Sequence, residues 1–280
     1  MDQRKGTSSK RRTGIILVVL LVFAASVGMT IRQRTQYRQI AEDRAEAARI
    51  ANLPEPDAQA PGDAASAQPA PSPADMAEPQ AGEAAAIAGI DLDALRAVNE
   101  DITGWIVIPG TELSYPLVQG TDNQYYLSHN WKREASSGGS VFLESTNSRD
   151  LTGFHTIIYA HRMRNDTMFG TLKYYADLDY WQEHPSVYVV LDSSIFRYDI
   201  FSAQEAGVKG IVYRLDIEEN QLKEEFLQYC TENSAIDTGL APGPDDRILT
   251  LSTCTSSGHA TRWVVHGVLA QEYSRGLPEG

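Results

Sequence analysis

The sequence predicts a mainly β domain, closed into a barrel with helices at its periphery and carried behind an N-terminal apolar helix and a linker. Three observations predict it. An uncharged run, "GIILVVLLVFAASVGMTI" at residues 14–31, lies near the N-terminus. A segment rich in Ala and Pro follows it, from Pro54 to about Glu83. Beyond Ile87 the chain becomes a succession of β-branched and aromatic runs bounded by Gly, Asn, Asp, Ser or Pro, seven or eight short strands in all. Such a series with few helices favours a closed barrel over a parallel sheet. The sequence shows no internal repeat.

The apolar run is about as long as the shortest helix that crosses a hydrocarbon core of ~30 Å. A cleaved signal peptide is the competing reading. The run exceeds the usual signal core of ~7 to 15 residues, and no small-residue cleavage site with a neutral segment after it is present. Instead Arg32, Arg34 and Arg38 follow directly, so a retained span is expected. Arg4, Lys5, Lys10, Arg11 and Arg12 precede it, and this excess of positive charge places the N-terminus in the cytoplasm and the remainder outside the cell.

Charge separates the two parts of the chain. Residues 1–50 carry a net charge of +6, leaving −19 for the rest of a chain whose total is −13. An acidic body with no basic stripe excludes nucleic acid as a partner, because that affinity rests on phosphate neutralisation.

The expected organisation is a basic cytoplasmic tail at 1–13, a transmembrane helix at 14–31, a juxtamembrane helix and linker at 32–86, a folded domain at 87–273 and a tail at 274–280. "RQRTQYRQIAEDRAEAARIANL" has helical propensity with mixed charge, the composition of a solvated stalk. The Ala/Pro segment lacks the large apolar side chains that would offset ordering entropy, so it reads as a semi-extended spacer.

Within the domain, "IDLDALRAVNED" reads as a helix with Leu92, Leu95 and Val98 on one face. "GWIVIPGTELSYPLVQG" reads as two strands around the Pro109-Gly110 turn. "SVFLES", "TIIYAH", "SVYVVLD", "FRYDIFSAQEAGV", "DRILTLSTC" and "RWVVHGVLAQEY" supply the other strands. Two helical insertions interrupt them. "DTMFGTLKYYAD" puts Met168, Leu172 and Tyr175 on one face behind an Asp166 cap, and "DIEENQLKEEFLQYCTEN" groups Leu222, Phe226, Tyr229 and Cys230.

Two cysteines and six histidines bound the chemistry. Cys254 ends one predicted strand and Arg262 starts the next, so both can stand at one rim, where a guanidinium favours the thiolate. His161 closes "TIIYAH" just before a polar loop, the position that suits a proton donor and acceptor. His155 and His266 read as structural, His129 and His184 as surface or turn residues, and His259 as a loop residue beside Cys254. Position alone leaves Cys254 open between a buried small hydrophobe and a nucleophile. A bridge to Cys230 is conceivable, but that residue falls on an inward helical face. Cys254, His259 and His266 lack the paired-cysteine spacing of a zinc site, so no metal and no cofactor is expected.

"TLSTC" with an arginine eight residues on, and "IIYAH" upstream, resemble the sortases, membrane-anchored cysteine transpeptidases of Gram-positive cell surfaces. The blocks "DITGWIVIPGTELSYPLVQGTDNQYYLSHNW" and "HTIIYAHRMRNDTMFGTLKYY", and a helix inserted before "ILTLSTC", are similar to class B. The ending "QEYSRGLPEG" shows no second apolar span, unlike the pilus-building class C pattern. Glu144 stands where aspartate is common in class B, away from the inferred catalytic residues.

The resemblance implies an eight-stranded barrel with a groove ending at Cys254, His161 and Arg262. The implied substrate is a C-terminal sorting signal of a secreted protein, of Asn-Pro-x-Thr-x or Ser-Pro-x-Thr-x type. Cys254 would attack the threonine carbonyl, His161 would protonate the departing amine, and Arg262 would hold the developing oxyanion. Ser252 and Thr253 would line the groove, and an amine of the peptidoglycan precursor or cross-bridge would take the acyl group. A cysteine protease releasing that group to water, a relative that polymerises pilus subunits, and a non-catalytic surface-binding domain are the alternatives.

Overall fold

The computed structural model describes residues 6–53, 77–254 and 260–276. His259 and the predicted linker from residue 54 to 76 lie outside them. The chain divides into two units, one ending at Glu42 and the other starting at Asp43. The first consists of helix α1 (Gly6–Ile50) up to that boundary. A stretch of α1 is long and apolar enough to cross a membrane, with a mean hydropathy of 2.0.

The second unit is a closed eight-stranded barrel. Its strands are β1 (Ile102–Val107), β2 (Ser114–Val118), β3 (Val141–Leu143), β4 (His155–His161), β5 (Ser186–Val190), β6 (Ser194–Gly207), β7 (Ile248–Cys254) and β8 (Thr261–Ser274). Their order around the barrel is β1-β2-β3-β4-β7-β8-β6-β5, and β1 pairs with β5 to close it. The β2–β3 and β4–β7 contacts are parallel and the others antiparallel. Each parallel contact needs a long crossover, and the β4–β7 crossover carries β5, β6 and two of the five α-helices.

Gly104 permits closure. A Cβ there would overlap the Val190 carbonyl at the β1–β5 seam. The turn after β1 uses Gly110 at φ +72°, a left-handed conformation that costs glycine little.

Helix α2 (Ala77–Ile87) precedes α3 (Leu92–Arg96), and α4 (Leu178–Glu183) and α5 (Asn220–Glu232) lie in the crossover. The α3 N-terminus is capped by the Asp91 carboxylate, which accepts from the Ala94 N–H at 2.9 Å. Leu92 and Leu95 are buried as the helical spacing predicts, whereas Val98, past the end of the helix, is 47% exposed. The α5 face buries Phe226, Leu227 and Cys230, with Leu222 and Tyr229 packed beside them.

The predicted helix at Met168–Tyr175 is instead a 3₁₀ segment, Gly170–Ala176. Asp166 and Met168 adopt positive φ values of 62° and 56°, which break an α-helical start. Asp166 therefore caps nothing; it pairs with Lys173 at 2.6 Å and accepts from the Tyr174 hydroxyl at 2.9 Å.

The folded body reaches further toward the N-terminus than composition indicates. Ala47 and Ala51, read as stalk, are fully buried in the core cluster. The Trp131 indole N–H donates to the Asp43 carbonyl at 3.0 Å, and Lys132 reaches Glu46 at 2.8 Å. Ala84 and Ile87 of α2 are buried too, and the Tyr188 hydroxyl donates to Glu83 at 2.8 Å. At the other end Arg275, read as tail, is buried and donates to the carbonyls of Ala88, Ile90, Leu191 and Asp192.

Candidate active site

The seven-rung parallel ladder of β4 and β7 runs from His155 beside Ile248 to His161 beside Cys254. Both predicted residues thus end their strands on the same rung. The antiparallel β7–β8 ladder reaches Ser252 beside Val264, two residues short of Cys254 on one strand and of Arg262 on the other. β4 and β7 therefore set His161 beside Cys254, and Arg262 belongs to β8, the other neighbour of β7.

His161 is oriented by a backbone group. Its Nε2 lies 2.7 Å from the Leu127 carbonyl oxygen. A carbonyl only accepts, so Nε2 carries the proton and Nδ1 is the nitrogen left for proton exchange. Leu127 ends the 3₁₀ turn Tyr125–Leu127. That turn is fixed by Asp122, whose carboxylate accepts from the backbone N–H groups of Gln124 at 2.7 Å and Tyr125 at 2.8 Å. These bonds hold the Asp122 carboxyl below the usual carboxylate range.

A groove of about 250 Å³ opens at this rim. Ser252 of β7, Tyr159 of β4 and Arg262 of β8 line it, with Asn123 and Leu127 from the turn and Tyr213 from the β6–α5 connection. The Ser252 and Tyr213 hydroxyls are 2.8 Å apart, so the two side chains brace each other. Arg262 donates from Nη1 to the Thr261 carbonyl at 3.1 Å. Thr253 differs from Ser252: it is fully buried, and its hydroxyl exchanges hydrogen bonds with the backbone of Trp263 at 3.0 and 3.1 Å. Successive strand residues face opposite ways, so only Ser252 of the two reaches the groove.

Pattern reading missed Asn123, Gln124, Leu127, Val208 and Tyr213 because they lie outside regular strands, where periodicity carries no signal. It also set Glu144 apart from the site. Glu144 is buried under the groove wall and accepts hydrogen bonds from Asn123 at 2.6 Å and from the Tyr159 hydroxyl at 2.9 Å.

Below the site a directed chain of hydrogen bonds crosses the barrel. His155 Nδ1 donates to the Arg214 carbonyl at 2.7 Å, which leaves His155 Nε2 to accept from the Thr250 hydroxyl at 2.7 Å. Thr250 in turn accepts from His266 Nδ1 at 2.9 Å, and His266 Nε2 accepts from the Gln204 amide at 3.2 Å. Every link requires both rings neutral. Burial pushes His155 down to about 4 and His266 down to about 3, with the neighbouring His155 adding to the second shift. The structural expectation for both holds.

His129 and His184 also have structural partners. His129 stacks on Tyr125 with centroids 4.0 Å apart, and His184 bonds the Pro109 carbonyl at 2.9 Å. Cys230 is a free, buried thiol whose ionisation is pushed up by desolvation. Among the described residues no cluster of His, Cys, Asp or Glu could hold a metal.

The sortase domain family model matches residues 106–270. Sortase B of Listeria monocytogenes is 33% identical over 181 residues, which cover 64% of this chain and 74% of that protein. The Staphylococcus aureus sortase B–substrate complex superposes with a TM-score of 0.62 at 31% identity, covering 64% of this chain and 84% of that one. Sortase B of B. anthracis in complex with AAEK1 superposes with a TM-score of 0.66 at 27% identity over 85% of this chain and 99% of that one.

Proposed function

The chain belongs to the sortase family, in its class B branch, and we propose that its transpeptidase activity runs through Cys254, His161 and Arg262 on a C-terminal sorting signal of Asn-Pro-x-Thr-x or Ser-Pro-x-Thr-x type. The observation that carries the residue assignment is the shared last rung of β4 and β7, His161 beside Cys254, two residues beyond Tyr159 and Ser252, which line the groove.

In this reading the Cys254 thiolate adds to the threonine carbonyl carbon. The oxyanion that forms is stabilised by Arg262. The C–N bond then breaks as His161 delivers a proton to the departing amine, leaving a thioester. An incoming amine of peptidoglycan attacks that thioester, His161 takes its proton, and Cys254 leaves as thiolate. The Leu127 carbonyl holds the ring through Nε2, so Nδ1 handles the proton in both halves.

A substrate complex is known for the S. aureus relative, which supports the reading that this chain binds a substrate. The apolar helix supports a membrane anchor, and the excess of positive charge before it is what favours a catalytic domain outside the cell. Protease added to intact wall-stripped cells should digest the domain while a cytoplasmic marker survives.

The test of function uses the full chain in detergent, a quenched fluorescent Asn-Pro-x-Thr peptide and an added oligoglycine amine. Mass spectrometry should find the acyl part joined to the amine, and no joined product with Cys254→Ala. A product set containing only the hydrolysed peptide would instead favour the protease alternative.

A further inference from the structure

Glu144 follows β3 directly and is a buried carboxylate, 6% exposed. Burying an ionised carboxylate is costly unless its oxygens are satisfied. Here neutral donors satisfy them. Oε1 accepts from Asn123 Nδ2 at 2.6 Å, the Ser145 hydroxyl at 3.3 Å, and the Thr146 N–H and hydroxyl at 3.4 Å each. Oε2 accepts from the Tyr159 hydroxyl at 2.9 Å. Among the described residues no Lys, Arg or His forms an ion pair with it.

Every one of these bonds runs toward Glu144, so its two oxygens set the direction of the donors around them. Asn123 must turn its Nδ2 toward Glu144, and its Oδ1 is held separately by the Ser145 N–H at 2.9 Å. Two independent partners therefore fix the amide, and its remaining N–H is the polar group that Asn123 can offer the groove it lines. Tyr159 must spend its hydroxyl proton on Glu144, which pins the ring to the groove wall. One carboxylate thus ties the turn bearing Asn123 to β4, two residues before His161.

We propose that Glu144 is a positioning residue of the sortase groove, which fixes the donor direction of Asn123 and the ring of Tyr159 and so sets affinity for the sorting peptide without entering the chemistry. This rests on the reading that the groove takes the peptide. Glu144→Gln keeps the shape but replaces one acceptor with a donor, so either Asn123 turns over or Tyr159 reverses its hydroxyl.

The experiment separates kcat from KM for the Asn-Pro-x-Thr peptide with the full chain in detergent, and follows thermal melting in parallel. Glu144→Gln should raise KM about three- to tenfold, the effect of one lost neutral hydrogen bond, with kcat within about twofold. The paired change Glu144→Gln with Asn123→Asp restores complementarity between the two side chains while removing the donor that faces the groove. It should recover melting temperature and leave KM raised. Either of two results overturns the proposal: an unchanged KM in Glu144→Gln, whatever the melting temperature, or a fall in kcat alone. Full recovery of KM in the paired variant would also overturn it, by showing that shape rather than donor direction matters. A wild-type chain that cleaves no such peptide would overturn the peptide reading and this inference with it, whereas normal wild-type cleavage with an indifferent Gln variant removes only the role of Glu144.

Discussion

His161 and Cys254 are partners on the last rung of the parallel β4–β7 ladder. A ladder fixes the separation of its rungs, so the two residues are held by backbone pairing along the whole length of both strands, and no flexible loop sets their spacing.

Substitutions at the site should separate the roles. Cys254→Ala should trap no acyl-enzyme with any peptide, because the atom that forms the thioester is gone. His161→Ala should lower turnover by about 10² to 10⁴-fold, the usual worth of such proton transfer. Arg262→Lys keeps charge but loses the planar fork, and should be strongly impaired where oriented donors matter more than charge. Peptide cleavage with intact-protein mass spectrometry reads all three; near-normal cleavage by the Cys254 or His161 variant would remove that residue from the mechanism.

Acid should weaken the fold through the buried histidine chain. An ordinary histidine titrates near 6.5, whereas His155 is pushed down to about 4 and His266 to about 3. The unfolded chain therefore binds protons that the folded one refuses. The stability contributed by these neutral rings is complete above about 6.5 and is lost as pH falls from there toward about 4 and then about 3. Melting temperature should be level near neutrality and decline through this window. His266→Gln, which cannot take a proton, should flatten the decline even if it lowers the plateau; an unchanged slope in that variant would show that other groups cause it.

The packing of residues 43–53 should be measurable as stability. Ala47 and Ala51 are fully buried, and Asp43 and Glu46 engage Trp131 and Lys132. A chain beginning at Asp43 should melt several degrees above one beginning after Leu53, at about 2 to 4 °C per kcal/mol for a domain of this size. Equal melting temperatures would mean that this contact contributes nothing.

Cys230 should resist thiol reagents in the folded protein. It is fully buried, and desolvation disfavours its thiolate. Alkylation should reach it only after denaturation. Rapid labelling under native conditions would contradict that burial.

The strands were legible because β-branched and aromatic runs between turn residues mark them directly. β4 and β7 end where the sequence places His161 and Cys254. The groove was legible only at Ser252 and Arg262, through the family resemblance, because Asn123 and Tyr213 come from connections whose position is set by tertiary contacts. The 3₁₀ segment at Gly170–Ala176 was misread because the apolar spacing of Met168, Leu172 and Tyr175 fits a helix, while the positive φ of Asp166 and Met168 leaves no compositional mark. Residues 43–51 looked like stalk because their buried face is alanine, small enough to lie against the body without a large apolar signature. The chemistry of Cys254 itself came from family resemblance, since position alone left it open.

The parallel contact between β4 and β7 also bears on how the protein is made. His155 and Thr250, on neighbouring strands of that ladder, stand 95 residues apart in sequence. Contacts of such high order form late, because the closure entropy of the intervening chain opposes them until other structure has shortened the path. His161 is synthesised long before Cys254, and β8 with Arg262 comes later still. Under the proposed assignment, a chain still being synthesised carries a histidine with no thiol to serve, and reactivity arrives only when nearly the whole domain is complete.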